Sequence, residues 1–313
     1  MVWTVEGGEP VRTYGALTGS AIGSLMKDVV SRAIREIRTH RFNIEVTPKE
    51  NPLKPGKPDY YTKSDTEAQA IYVRLLQERF PGFGIIAEEA DFTLPCTIPG
   101  HTAYFTVDPL DGTRMFMRKP SHSVGSLLAL VWDGVIIAAI VADVFSDEMY
   151  YYRPDSAKTH RLTSTDHDLL QIDQTLVLAE QYAIIREDPR LHSRFAQAII
   201  GEPLKHGLVK NWDKVSGSFG SMMGRLCKGE VGIAILAPGH NTPWDLTPPY
   251  GILERLGFVF LTINAANGVL ERWTYTPSTK PVQVSDELLV IHHSRIAELN
   301  AFYNKRFPDC GLE

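Results

Sequence analysis

The stretch from Thr106 to Thr113 constrains the fold of this chain most, because an apolar strand stops there at two acidic residues. Asp108 is followed at once by Pro109, and Asp111 is followed by Gly112. Proline lacks a backbone N–H, so the strand cannot simply continue, whereas glycine permits a tight turn or a close backbone approach. Two carboxylates at a strand end are suitable ligands for a hard divalent cation, and an ordinary surface turn is the alternative interpretation.

Further acidic residues lie where other predicted elements begin or end. Ser64 and Glu67 have the spacing of a capping box, which predicts a helix from here to Phe80 with Asp65 in its first turn. Acids at such positions are often only solvated or favoured by the helix dipole, so their spacing alone does not show that they converge. The candidate site carboxylates are Asp65, Glu88, Glu89, Asp108, Asp111 and Asp245.

The first half of the chain predicts two helices and an antiparallel sheet. Apolar residues recur at helical spacing from Tyr14 to about Arg41, and a proline-rich loop is expected at 48 to 59. Two apolar runs flank Asp133-Gly134, which is a strong hairpin signal, and a third strand is expected at Met149 to Tyr152.

Beyond Pro154 strands alternate with helices, which favours an α/β arrangement. The predicted elements are a strand at Leu176 to Leu178, helices at Asp188 to Ile200 and Ser218 to Lys228, a strand at Val231 to Leu236, a loop at Pro238 to Pro243, a helix from Trp244 to Leu256, a strand at Phe258 to Thr262 and a helix at Ser294 to Arg306. We therefore expect an N-terminal α+β half, residues 1–155, with most of the metal ligands. A C-terminal α/β half, residues 156–313, is expected to carry Asp245 and the loop on the substrate side.

Composition excludes several classes of function. The net charge of -5 shows no basic surface of the kind that binds nucleic acid. The longest central apolar run, Val135 to Ala142, is too short to cross a bilayer, so no membrane partner is expected. Three cysteines form neither a metal-site spacing nor a disulfide framework, and the first ten residues have no signal-peptide character. A cytoplasmic location is expected.

Four segments resemble the motifs of the inositol monophosphatase family. Asp108-Pro109-Leu110-Asp111-Gly112-Thr113 is similar to the family signature D-P-[IL]-D-G-T. The other three are Ile86-Ala87-Glu88-Glu89, which is similar to a G-E-E segment, Tyr61-Thr62-Lys63-Ser64-Asp65, which is similar to V-T-x-x-D, and Trp244-Asp245, which is similar to the start of W-D-x-A-A-G. The motifs occur in the family's order and cover most of the chain.

This resemblance implies a layered α-β-α-β-α sandwich, as in the inositol monophosphatase and fructose-1,6-bisphosphatase fold, and Mg²⁺-dependent, lithium-sensitive hydrolysis of a phosphate monoester. It implies two or three Mg²⁺ ions, a small phosphorylated metabolite as substrate, and a homodimer. The implied metal ligands are Glu88, Asp108, the Leu110 carbonyl, Asp111, Asp245 and Asp65. Asp65, Glu88 and Thr113 are the implied catalytic residues, Glu89 supports the site, and Gly112 and Thr113 bind the phosphate.

Several residues on the substrate side depart from the family pattern. Pro238 stands where members that act on inositol phosphates carry a glutamate that contacts the sugar ring, and Thr247-Pro248-Pro249 replaces Ala-Ala-Gly. Met115 stands at a position that is commonly asparagine, and Gly232 at one that is often aspartate. The metal ligands are intact, so an inositol-phosphate-type phosphatase is expected, with its exact substrate open. His240 is a candidate substrate contact, although a loop histidine without a role is an equal alternative.

Two classes of function remain open from the sequence. The first is a Mg²⁺-dependent phosphatase, with histidinol phosphate, fructose 1,6-bisphosphate and 3′-phosphoadenosine 5′-phosphate as alternative substrates. The second is a non-catalytic descendant that binds a phosphorylated ligand or a partner protein. Degenerate metal ligands would indicate the second class, whereas all of the expected acids are present.

Overall fold

A computed structural model gives the fold of residues 12–50, 56, 59–201 and 207–308. The α-helices in these ranges are α1 (Gly19–Thr39), α2 (Lys63–Arg79), α3 (Thr113–Phe116), α4 (Arg194–Ile200), α5 (Phe219–Cys227), α6 (Pro243–Arg255) and α7 (Ile296–Arg306). The strands before the first large sheet are β1 (Thr13–Tyr14), β2 (Leu17–Thr18), β3 (Val46–Lys49) and β4 (Asp59–Thr62), and they form two small hairpins.

The first large sheet has eight strands in the order β12-β11-β10-β9-β8-β7-β5-β6. Its members are β5 (Gly84–Ala87), β6 (Phe92–Leu94), β7 (Ala103–Asp111), β8 (Gly125–Trp132), β9 (Val135–Asp143), β10 (Met149–Tyr152), β11 (His160–Leu162) and β12 (His167–Leu169). Its neighbouring strands are antiparallel except for β5 and β7, which run parallel.

The second large sheet is drawn from the later strands. These are β13 (Tyr182–Ile185), β14 (Asn211–Lys214), β15 (Ile233–Leu236), β16 (Gly239–Asn241), β17 (Phe258–Ile263), β18 (Leu270–Trp273), β19 (Val282–Val284) and β20 (Glu287–His292). Six of them pair in the order β14-β13-β15-β20-β17-β18, while β16 pairs with β19. Along the chain, the last strand of the first large sheet ends at Leu169, and the first strand of the second begins at Tyr182.

Three hydrophobic cores hold five layers together. In the first core, α1 and α2 pack on one face of the eight-stranded sheet through side chains such as Ile22, Tyr72 and Leu128. In the second, α5 and α6 lie between the two large sheets, and in the third α4 and α7 cover the outer face of the six-stranded sheet. This α-β-α-β-α sandwich is the fold expected from the sequence.

Several local predictions are also confirmed. Asp133 and Gly134 both have positive φ, 48° and 79°, and join β8 to β9 in the predicted hairpin. The helix after Trp244 survives its prolines, although Pro248 and Pro249 lie in its second turn and not in its first. Ser218 is the N-cap of α5, as expected, because its side chain accepts from the Ser221 N–H.

Other local predictions are wrong. The expected strand at Leu176 to Leu178 is instead the approach to a 3₁₀ turn, Leu178–Glu180, and the strand begins at Tyr182. The expected helix from Asp188 to Ile200 is split into a 3₁₀ turn, Pro189–Leu191, and α4, because Ser193 caps a new helix start.

The predicted loops also contain short strands. Pro48, Lys49 and Asp59 belong to β3 and β4, while 51–55 and 57–58 of that predicted loop lie outside the described residues. Gly239–Asn241 forms β16 within the predicted 238–243 loop. Among the described residues, no helix combines the length and the apolar character needed to cross a membrane.

Candidate active site

Three of the candidate carboxylates converge. Oxygen atoms of Asp108, Asp111 and Asp245 all lie within 4.8 Å of one another. The first two lie at the end of β7, where a register shift between Asp108 and Asp111 breaks the pairing with β8. The third lies in the first turn of α6, where Thr242 Oγ1 donates to its Oδ2 at 2.7 Å. The two halves of the sequence thus contribute to one acidic cluster.

Glu88 reaches the same cluster because β5 and β7 are parallel. Ala87 is paired with Val107, so the next residue of each strand, Glu88 and Asp108, emerges at the same edge of the sheet. The Glu88 N–H donates to the Val107 carbonyl at 3.2 Å and extends this pairing by one step. The side chain of Glu88 remains 22% exposed toward the cleft.

Lys49 of β3 contacts this part of the site, which sequence reasoning missed. Its Nζ lies 2.8 Å from Glu88 Oε1 and 3.3 Å from Glu89 Oε1. Glu89 is buried, and its backbone N–H and carbonyl are both bound by the side-chain amide of Gln69. Only the pairing of β3 with β4 brings Lys49 here, and the proline-rich sequence gave no strand signal for it.

Asp65 lies beside the signature and accepts three hydrogen bonds. The backbone N–H and the hydroxyl of Thr62 both donate to its Oδ2, at 2.7 and 2.5 Å. Thr113 Oγ1 donates to its Oδ1 at 3.0 Å. The capping box of α2 is therefore formed by Thr62 and Asp65, and the prediction of Ser64 with Glu67 is wrong. The cap orients a carboxylate toward the signature.

The signature turn packs directly on the start of α5. Ser218 Oγ and the Gly220 N–H donate to Asp111 Oδ2 at 2.6 and 2.7 Å. Gly112 has a φ of 95°, and a Cβ there would lie 2.7 Å from the Ser218 backbone nitrogen. Both the conformation and the space require glycine at this position. Ser218 thus fixes Asp111 in addition to capping its helix.

Burial and mutual repulsion disfavour the charged forms of these carboxylates. Burial raises the pKa of Asp108 well above its ordinary value, and the charges of Glu88, Asp111 and Asp245 raise it further. Burial and the Asp245 charge raise the pKa of Asp111 to about 6. Burial and the Glu88 charge raise the pKa of Glu89 to about 8. Cations among the carboxylates would relieve both effects.

The donor set fits a hard divalent cation. Carboxylate oxygens are the ligands that Mg²⁺ and Ca²⁺ prefer, and no sulfur or imidazole ligand belongs to this cluster of described residues. Asp108, Asp111 and Asp245 can hold such an ion together, and Glu88 is placed to join them. The Leu110 carbonyl, also predicted as a ligand, accepts a long hydrogen bond of 3.4 Å from Thr113 Oγ1.

A cleft opens over the carboxylates. A cavity of about 330 Å³ is lined by Glu88, Asp108, Asp111 and Asp245 together with Gly112, Thr113, Met115 and three arginines, Arg114, Arg118 and Arg186. A larger adjoining cavity of about 1070 Å³ includes Pro238 and His240. His240 is exposed and lies in β16, away from the smaller cavity. Arg186 was missed from the sequence because a lone arginine after a strand carries no local signal.

A model of the inositol monophosphatase family matches residues 21–299. A curated relative named Nus factor SuhB, from Vibrio cholerae, is 30% identical over 128 residues, which are 40% of this chain and 46% of that protein. The match thus spans less than half of that relative's length.

Solved structures share the fold over most of the chain. One titled IMPase/NADP phosphatase complexed with Mg²⁺ and phosphate has a TM-score of 0.67 at 15% identity, covering 91% of this chain and 95% of that one. A Staphylococcal inositol monophosphatase-1, titled as a LiCl-soaked inhibitory complex, has a TM-score of 0.67 at 16% identity with the same coverage.

Proposed function

Because the chain belongs to the inositol monophosphatase family, we propose that it hydrolyses small organic phosphate monoesters in the acidic cleft with Mg²⁺. The observation that carries this proposal is the convergence of Asp108, Asp111 and Asp245 within 4.8 Å beside the Asp65–Thr113 pair. Mg²⁺ bound there would lower the pKa of a water molecule and offset the negative charge of the phosphate. We assign it to Glu88, Asp108, Asp111 and Asp245, with Asp65 and the Leu110 carbonyl completing a set for two or three ions.

Thr113 and Asp65 are placed to orient the attacking water. The Thr113 hydroxyl donates to Asp65 Oδ1, so the lone pairs of its oxygen remain available to accept from that water. Burial raises the pKa of Asp65, which suits a carboxylate that takes up a proton during the reaction. Gly112 and Thr113 would offer backbone N–H groups to the phosphate, and Glu89 would hold Lys49 against Glu88. The reaction consumes one water and yields an alcohol and inorganic phosphate.

The finer properties expected from the sequence belong to the same proposal. Inhibition by lithium is supported by the lithium-soaked Staphylococcal relative. The homodimer, the cytoplasmic location, the division into halves at residue 155 and the contact of His240 with substrate stay predictions. Histidinol phosphate, fructose 1,6-bisphosphate and 3′-phosphoadenosine 5′-phosphate are the alternative substrates.

The test is phosphate release from a panel of monoesters with and without Mg²⁺. We expect activity that EDTA removes and Mg²⁺ restores, and we expect Asp108→Asn to lower kcat by about 100-fold or more, because several kcal/mol of charge stabilisation are lost. Asp168→Asn, an exposed carboxylate of the same sheet, is the matched control. Undiminished turnover in Asp108→Asn would exclude this site as the catalytic centre.

A further inference from the structure

Three arginines of the cleft form no ion pair with a carboxylate among the described residues. Arg114 and Arg118 follow the signature, Arg186 follows β13, and all three line the smaller cavity. Within the part of the chain that the structure describes, none of the three lies within 4.0 Å of an acidic oxygen. Arg190, by contrast, forms an ion pair with Asp188 at 2.8 Å.

Arg186 is held in place by neutral groups. Its Nη2 donates to the Gly217 carbonyl at 3.0 Å, and its guanidinium lies 5.8 Å from the centre of the Phe219 ring. These contacts use one edge and one face of the guanidinium, and its charge acts at longer range on Asp111 and Asp245, whose pKa values it lowers against the larger effect of burial. Cations bound among those carboxylates would take over this role and leave Arg186 available to an anion of the substrate. Gly217 immediately precedes Ser218, which binds Asp111, so Arg186 is positioned against the same turn as the acidic cluster.

The cavities are lined by both apolar and polar side chains. Pro238 lines the larger cavity and Met115 the smaller one, whereas Asp59 lines both and His240 and Asn241 line the larger one. A guanidinium binds phosphate and carboxylate groups through paired, charge-assisted N–H donors, and it repels an ammonium group. The cleft therefore combines a site for the scissile phosphate with cations suited to another anion.

We propose that the substrate carries a second anionic group, a phosphate or a carboxylate, and that Arg186 binds this group together with Arg114 or Arg118. The inference rests on the proposed phosphatase function and names its substrate class. It disfavours cationic esters such as histidinol phosphate and ranks bisphosphates and phosphorylated acids above neutral sugar or polyol monophosphates.

The test compares esters that differ by one anion. Calorimetry with Ca²⁺, a hard cation with the same oxygen ligands, measures Kd for fructose 1,6-bisphosphate against fructose 1-phosphate and for 2-phosphoglycerate against glycerol 2-phosphate. In the first pair the second anionic group lies far from the scissile phosphate, and in the second pair it lies close to it. In at least one pair, we expect the ester with two anionic groups to bind about 10-fold more tightly than the ester with one. One charge-assisted contact provides a difference of this size.

Variants locate the preference. Arg186→Gln is expected to bring the ratio of the two Kd values close to 1, and Arg186→Lys to restore part of it. Arg118→Gln is an exposed second variant that does not endanger folding. The matched control is Arg190→Gln, which is exposed on the same loop.

The outcomes separate this inference from the function on which it rests. Equal affinity for both members of each pair in the wild-type protein overturns it. A weakening by Arg186→Gln that leaves the ratio unchanged also overturns it, because Arg186 then serves the scissile phosphate or the fold. If the preference and its loss are found but Mg²⁺ supports no phosphate release from any ester, the second-anion site stands and the phosphatase proposal fails.

Discussion

At the scale of single residues, the site depends on groups that hold its carboxylates as much as on the carboxylates themselves. Asp111 Oδ2 receives two hydrogen bonds from the start of α5, one of them from Ser218 Oγ. These bonds favour the charged form of Asp111 and oppose the effect of burial on its pKa. Groups that orient metal-binding carboxylates commonly affect metal affinity by an order of magnitude or more.

We therefore expect Ser218→Ala to raise the Mg²⁺ concentration that gives half-maximal activity by about 10-fold. The variant also loses an N-cap, which costs about 1 kcal/mol of stability. Thr18→Ala, which removes the cap of the remote helix α1, controls for that loss because it should lower stability without changing the Mg²⁺ dependence. A titration of activity against Mg²⁺ and thermal unfolding of both variants provide the measurements. Equal Mg²⁺ dependence in Ser218→Ala and the wild type would restrict Ser218 to a capping role.

At the scale of elements, strong periodic signals in the sequence predicted most helices and the hairpin. Predictions of caps and element boundaries were wrong where tertiary contacts determine which residue begins the element. The Asp133-Gly134 turn needs positive φ at both residues, so its sequence predicts it directly. Thr62 and Ser64 are both acceptable caps, and the bonds from Thr62 to Asp65 Oδ2 show that Thr62 is the one used.

The residues of the cleft show the same division. The motifs predicted Asp108, Asp111 and Asp245 as candidate ligands, and their side chains converge in the structure. Lys49 and Arg186 could not be predicted, because each reaches the cleft only through strand pairing that is not local in sequence.

The start of α2 yields a test at this scale. Thr62→Ala removes the hydroxyl that donates to Asp65 Oδ2 but retains the backbone donor. We expect a loss of about 1 kcal/mol in stability and a fall in kcat of about 10-fold, because Asp65 is less well oriented toward Thr113. Thr39→Ala, whose exposed hydroxyl donates to the Glu36 carbonyl at the end of α1, is the matched control. The two variants should differ in kcat at saturating Mg²⁺ and substrate, and a shared small effect would argue against a positioning role for Thr62.

At the scale of the whole molecule, the candidate carboxylates come from three different layers. Asp65 comes from the outer helical layer, Asp108 from the eight-stranded sheet, and Asp245 from α6 in the middle layer. Repulsion among these carboxylates therefore acts across layer boundaries, and a bound cation would join the layers. Ligands that bind only the folded state raise the free energy of unfolding, by about 2.7 kcal/mol at 100 times Kd.

This placement predicts a particular pH dependence of stability in EDTA. The folded-state pKa values of Asp111, about 6, and Glu89, about 8, both exceed their ordinary values of 3.8 and 4.5. The folded protein then binds more protons than the unfolded chain between those values, so the free energy of unfolding falls as pH rises through that window. We expect the midpoint of thermal unfolding in EDTA to decline from about pH 5 to about pH 8 and saturating Mg²⁺ to reverse the decline.

Glu89→Gln separates the two contributions. Without the group that titrates near pH 8, the decline between about pH 6 and pH 8 should be shallower than in the wild type, because only the other carboxylates with raised pKa values, such as Asp108, still contribute there. Glu78→Gln, at an exposed position of α2, should retain the full decline. Scanning calorimetry across this pH range with EDTA and with Mg²⁺ provides the comparison. If Glu89→Gln declines as far as the wild type does, the upper part of the window belongs to other groups, and Glu89 does not couple the cleft to stability.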